Sequence, residues 1–275
     1  MTIELEPRPL GSTGLKVAPI GLGAAPIGNM MGQVSDEVAG AILEAAAGPD
    51  IIFDTAPFYG AGLSERRLGR PNCHGPQLRW RDALVRGQLD AARSESDRHS
   101  AHSRPRRSLR RSRARRVPSL RNLKESGAIR AISAGMNQWQ MLSRFIDAAD
   151  FDCFLLAGRF TLLDRSVADF LKQCHARGVG WILGGVFNSG ILADPSPAAL
   201  FDYLPASAEV MARALALERL CRSAGVQLKA AALQFPLRHP AVSAVVVGVS
   251  SVAEWRENWA LLQQPIPEDL WARLD

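Results

Sequence analysis

Cysteine is scarce in this 275-residue chain, and the little there is lies scattered. Cys73, Cys153, Cys174 and Cys221 form no CxxC pair, although Cys73 has a histidine beside it, His74, as Cys174 has His175. Neighbours along a helix point in different directions, so that pair makes no metal site, and no disulfide framework is supported either. No metal is expected. Long apolar runs are missing too: none approaches the roughly 18 residues needed to cross a bilayer, so no membrane partner is expected. The opening MTIELEPRPLG carries acidic residues and lacks the apolar core of a secretion signal, which points to the cytoplasm.

One stretch lacks acid altogether. Residues 102 to 119 read HSRPRRSLRRSRARRVPS, with Arg104, Arg106, Arg107, Arg110, Arg111, Arg113, Arg115 and Arg116 and no Asp or Glu. The formal net charge of the chain is +6, and these eight arginines account for all of it. The basic balance is therefore a property of one segment. Arginine-rich arms do bind phosphates, but this one has no interleaved aromatic and no recognition module, so no specific nucleic-acid partner is expected. A solvated insertion is one alternative reading. A frame-shifted piece of the surrounding protein is another.

What the chain does have is a regular alternation. The apolar fraction of 47% can build a substantial core, and the length suits one α/β barrel domain over residues 1 to 275, with 71 to 118 as an aberrant segment. LKVAPIGLGAA, DIIFDTAPFYG, AIRAISAGMN, FDCFLLAGRF, VGWILGGVFNSG and AVSAVVVGVSS read as strands. Between and after them, SDEVAGAILEAAAG (Ser35 as N-cap, Gly48 as stop), LSERRLG, QWQMLSRFIDAAD, LLDRSVADFLKQCHARG, SAEVMARALALERLCRSAG and VAEWRENWALLQQ read as helices. In the fourth of these, Leu163, Val167, Phe170, Leu171 and Cys174 share one face. Continuous apolar strands alternating with helices predict a parallel sheet covered by helices. Six strands are two short of a closed barrel, and the missing pair falls between Gly69 and Ser119, where the arginines are. A dinucleotide-binding GxGxxG reading of Gly21, Gly23 and Gly28 is imperfect, because Pro26 stands where the third glycine belongs.

Several motifs in order resemble the aldo-keto reductases: RPLGSTGLKVAPIGLGAAPIGN, FDTAPFYGAGLSERRLG, the run from Gly127 to Asp164, GGVFNSGILAD, and AALQFPLRHPAVSAVVVGVSS. The resemblance spans residues 8 to 70 and 119 to 270 and is nearest the branch of L-fucose (D-threo-aldose 1-) and pyridoxal 4-dehydrogenases. It implies a (β/α)8 barrel, here with strands three and four missing or disordered. It also implies hydride transfer between NAD or NADP and a small-molecule carbonyl or sugar. Tyr59 then matches the proton-transfer residue and Asp54 its supporting carboxylate. The family's lysine and histidine partners have no counterpart, since Lys16, Lys124, Lys172 and Lys229 lie in no such motif.

The resemblance further implies cofactor contacts. Gly135, Asn137 and Gln138 would hold the carboxamide and Phe160 would stack on the nicotinamide. The loop of Gly185, Phe187, Asn188 and Ser189 would cover the pyrophosphate. Gly248 and Ser250 would start a helix whose free N–H groups face phosphate, with Ser251 and Glu254 at capping-box spacing. Glu257 and Asn258 would meet the adenosine. Ser250 stands where NADP-preferring relatives carry a basic residue, which favours NAD.

The frame-shift reading gains from the same resemblance. With suitable synonymous codons, SDRHSAHSRPRR read one base later gives RIDIRHIHDPD, similar to the family's fourth strand. RDALVRGQLDA, just upstream, resembles the family's third helix. The functional expectation is an aldose or aldehyde/alcohol oxidoreductase whose turnover is impaired. The alternatives are a non-catalytic relic that still binds cofactor and, further off, a basic nucleic-acid-binding protein.

Overall fold

The computed structural model describes residues 5–69, 85–86 and 120–275. The chain opens with an antiparallel hairpin, β1 (Arg8–Pro9) and β2 (Lys16–Val17). Then come β3 (Ile20–Gly23), α1 (Asp36–Ala46), β4 (Phe53–Asp54), α2 (Leu63–Leu68) and β5 (Val85–Arg86). After a helical stretch over 120–125 follow β6 (Ile132–Met136), α3 (Trp139–Phe145), β7 (Cys153–Ala157), α4 (Ala168–Ala176) and β8 (Gly180–Gly184). A small hairpin of β9 (Leu200–Phe201) and β10 (Leu204–Pro205) precedes α5 (Ala208–Ser223) and α6 (Leu228–Gln234). β11 (Val242–Gly248), α7 (Val252–Gln263) and α8 (Glu268–Leu274) complete the order.

Seven strands make one sheet in the order β4-β3-β11-β8-β7-β6-β5, and every pairing within it is parallel. All six strands expected from the apolar runs are in it. The side-chain alternation shows how it curls. Ile20, Leu22, Phe154, Leu156, Trp181, Leu183, Val245 and Val247 point outward into the large core shared with the helices. Cys153, Leu155, Ile182, Ala244 and Val246 point inward and form a second core with Leu10 and Val17 of the N-terminal hairpin. The described strands are therefore an open half-barrel, closed at its N-terminal end by that hairpin and open at its C-terminal end.

The helix caps follow local chemistry. Ser35 accepts a hydrogen bond from Val38 N–H at 3.3 Å, and Ser207 does the same for Val210 at 3.3 Å. The expected face of α4 is buried throughout, from Val167 to Cys174. Gly48 is not the stop of α1, however: the helix ends at Ala47 in extended backbone, with no left-handed residue. A second correction concerns RDALVRGQLDA. Val85 and Arg86 are a strand and not part of a helix, pairing with Ile132 and Ser133. An unpaired edge on β6 demands backbone partners, and a β-branched residue serves there. The arginine run of 102 to 119, the expected third strand and the expected frame-shifted fourth strand lie outside the described residues.

Candidate active site

At the open end of the half-barrel, the last inward-facing residue of five of the strands is small. Gly23 of β3, Gly135 of β6, Ala157 of β7, Gly184 of β8 and Gly248 of β11 leave a bowl floored by Leu155, Ile182 and Val246. A methyl added at Gly184 would touch Val246 at 3.4 Å and Ala157 at 3.7 Å, so the concave wall closes in there. The exception is Asp54 of β4, a carboxylate in a ring of glycines. It is buried and paired in register with Gly23, and its carbonyl accepts from Ala24 N–H at 2.8 Å.

Tyr59 stands on the rim, five residues past Asp54, half-buried in the turn between β4 and α2. That turn is built closely. Tyr59 N–H donates to Ala56 O at 2.9 Å, and Tyr59 O accepts from Ser64 N–H at 3.3 Å. Thr55 Oγ1 and Ser64 Oγ lie 2.8 Å apart across it. Its outer wall is the turn Pro26–Gly28, where a methyl on Gly28 would lie 2.9 Å from Tyr59 Cβ. Arg67 of α2 fixes that wall from behind. Its guanidinium donates to Ile27 O at 2.6 Å, Val34 O at 2.8 Å and Asp36 Oδ1 at 2.9 Å. Arg67 carried no signal in the sequence beyond its place in SERRLG.

Beyond β6, Asn137 and Gln138 are exposed, and Asn137 O accepts a long bond from Arg159 Nε at 3.5 Å. Arg159, at the end of β7, is held by Asp164 at 3.1 Å and by Asp202 of the β9–β10 hairpin at 2.8 Å. Burial works against its charge, but hydrogen bonds and the nearby charge of Asp202 and Asp164 outweigh that and raise its pKa. Phe160 departs from its expected role. Its ring is buried, 5.2 Å from Phe235 and edge-on to His239 at 5.7 Å, so it packs in the core and offers no face to a nicotinamide.

The loop after β8 comes back over the bowl. Gly185 is left-handed with φ 61°, and a methyl there would lie 3.0 Å from Gly158 N. Phe187 is half-buried. Asn188 is buried and donates from Nδ2 to Gly158 O at 3.2 Å, while its Oδ1 has no partner. Ser189 Oγ accepts from Tyr203 N–H at 3.0 Å.

β11 ends at Gly248, where a methyl would strike Pro26 at 2.8 Å, and the start of α7 follows. The capping box is present: Glu254 N–H donates to Ser251 Oγ at 3.1 Å, and Ser250 N–H donates to Glu254 Oε2 at 2.9 Å. Two amides at this helix start are therefore taken within the chain, that of Ser250 by Glu254 and that of Glu254 by Ser251. One turn on, Glu257 pairs with Lys229 of α6 at 2.6 Å. Asn258 is buried with Oδ1 unpartnered. α6 was not among the helices read from the sequence, because it has no periodic apolar stripe: Ala230 to Gln234 are all buried. Among the described residues no cluster of His, Cys, Asp and Glu could hold a metal ion, and no helix is long and apolar enough to cross a membrane.

The aldo/keto reductase family model matches residues 98–275, well over half of the chain. The chain belongs to that family. It is 34% identical to pyridoxal 4-dehydrogenase of Microbacterium luteolum, covering 98% of this chain and 96% of that protein. It is 32% identical to D-threo-aldose 1-dehydrogenase of a Pseudomonas species, covering 96% and 94%. Among solved structures, an aldo-keto reductase from Bacillus halodurans in its holo form superposes with a TM-score of 0.69 at 16% identity, over 98% of this chain and 95% of that one. The glycerol dehydrogenase of Gluconobacter oxydans gives 0.65 at 17%, over 99% and 95%. These likenesses place the half-barrel in the aldo-keto reductase fold and make the chain an oxidoreductase of a family that uses NAD(P)H.

Proposed function

We propose that this aldo-keto reductase is an NAD-linked dehydrogenase of an aldose or of an aldehyde/alcohol pair, with Tyr59 giving or taking the proton on the substrate oxygen. One observation carries the reading above the others: Tyr59 is held by backbone packing on the rim of a bowl whose mouth is glycine on four strands, β3, β6, β8 and β11. A flat ring can settle only where side chains are absent, and a proton donor is useful only beside it. The names of the two relatives over 30% identical support the substrate class, a small-molecule sugar or carbonyl.

The residues present fit a nicotinamide dinucleotide. Asn188 and Asn258 each bury an acceptor oxygen that awaits an N–H or O–H donor. Bound there, the dinucleotide would supply the hydride acceptor. Asn137, Gln138 and Asn188 would orient its carboxamide, with Gly135 leaving room for the ring. Gly185, Phe187 and Ser189 would cover the diphosphate, and Glu257 and Asn258 would hold the adenosine. NAD is favoured over NADP because Ser250 offers no charge and Glu254 holds a carboxylate at the start of α7, where a further phosphate would meet it.

Tyrosine has an ordinary pKa near 10, and efficient proton transfer at neutral pH needs a cation to lower it. The four lysines do not supply one. Lys124 pairs with Asp152, Lys172 with Asp169 and Lys229 with Glu257, while Lys16 lies in the N-terminal hairpin. His175 and His239, the described histidines, lie on α4 and ahead of β11. Turnover about 10²- to 10⁴-fold below that of relatives that carry both the family's lysine and its histidine is the expected result. The test follows NADH production with L-fucose, D-arabinose and pyridoxal. A slow rate abolished by Tyr59→Phe supports the reading, and an unchanged rate in that variant overturns Tyr59 as the proton-transfer group.

A further inference from the structure

The cation at Lys229 belongs to none of the contacts assigned above, yet it sits between two of them. Its Nζ donates to Glu257 Oε2 at 2.6 Å and lies 5.9 Å from the centre of the Phe187 ring. Phe187 is on the loop after β8 and Glu257 is on α7, the helix after β11, so one ammonium joins the segments that follow the last two barrel strands. In α/β barrels the loops after those strands, together with a helix start, build phosphate sites. The Lys229 side chain is 19% exposed, mostly withdrawn from water and in part open to it.

We infer that Lys229 is a phosphate-binding residue: its ammonium meets a diphosphate oxygen on the adenosine side of the dinucleotide. An ammonium has three donors, and among the described residues Glu257 takes one. Two remain for an anion. Glu257 has a matching part, because its carboxylate holds the lysine tip in place, and the ammonium lies over the Phe187 ring, 5.9 Å from its centre. The helix start at Ser250 cannot serve as readily, since Glu254 occupies that amide. This inference rests on the dinucleotide reading above and adds a residue and a charge to it.

The experiment measures equilibrium binding to the full chain by quenching of tryptophan fluorescence, with NADH, ADP-ribose and adenosine as probes. Lys229→Met is expected to weaken NADH and ADP-ribose about tenfold and to leave adenosine, which has no phosphate, unchanged. Lys229→Arg is expected to keep most of the affinity. In the wild type, ADP-ribose binding should fall with added salt more steeply than adenosine binding, a measurement that stands even where the Met variant fails to fold. Equal losses for ADP-ribose and adenosine in the Met variant, or equal salt dependence in the wild type, would overturn the inference and leave the dinucleotide reading intact. Absence of NADH binding to the folded wild type would overturn both.

Discussion

The carbonyl oxygen of Gly28 lies against the α-carbon of Gly60, so close that a methyl on Gly60 would sit 2.2 Å from it. Gly60 is also left-handed, with φ 60°. Two turns, one after β3 and one after β4, thus touch backbone to backbone, and Tyr59 is the residue between them and the bowl. Gly60→Ala is expected to push the turns apart, because neither contacting atom belongs to a movable side chain. The left-handed conformation alone costs a non-glycine residue about 1 kcal/mol, and the clash adds to that. The expected result is a lower melting temperature and loss of Tyr59-dependent turnover, with NADH affinity less affected. A variant with full turnover would show that the contact does not place Tyr59.

Arg67 holds the same wall from the other side. Its side chain is 6% exposed, and Asp36, its charged partner, is 42% exposed, so much of the ion pair is screened. The hydrogen bonds to Ile27 O and Val34 O are buried. Arg67→Met would leave two buried carbonyls unpaired, which should destabilise the fold by about 2 kcal/mol. Denaturant unfolding monitored by circular dichroism checks this, and an unchanged midpoint would contradict it.

Alkaline pH should weaken the fold through two thiols. Burial pushes Cys174 up to about 11, against smaller lowering contributions from Trp181 and Arg177, and burial alone pushes Cys221 up to about 11. A folded-state pKa above the unfolded one means that the neutral thiol is favoured in the fold. That contribution is complete below about pH 9 and is lost as pH rises from there through about 11. Stability measured between pH 8 and 11 should therefore fall, and Cys174→Ala/Cys221→Ala should show a shallower decline. An identical slope in that variant would rule the thiols out.

Cofactor choice turns on a carboxylate. Glu254→Gln removes the negative charge that faces the start of α7 while keeping a capping-box side chain. NADPH affinity is expected to rise about tenfold relative to NADH. An unchanged ratio would place the discrimination elsewhere.

Much of this arrangement was legible in the sequence. The six apolar runs became six parallel strands because a buried parallel sheet needs continuous hydrophobicity. Ser35 and Ser251 cap helices where spacing alone placed them. Tyr59, Asn188 and Asn258 were named from motifs, and each is at the open end or on the adjoining helix. Other features were illegible for physical reasons. Val85 and Arg86 form a strand because β6 presents an open edge, which no local pattern encodes. Phe160 turns into the core because Phe235 and His239, some 75 residues on in sequence, make a better partner for an apolar ring than an open rim does. Lys229 gains its meaning only from Phe187 and Glu257, which the fold brings together.

Titration of the purified full-length chain with NADH, followed by calorimetry and competed with ADP-ribose, tests the central claim most directly. Saturable one-to-one binding that ADP-ribose displaces and that Tyr59→Phe leaves in place is the expected result. A chain that melts cooperatively but takes up no NADH would contradict it.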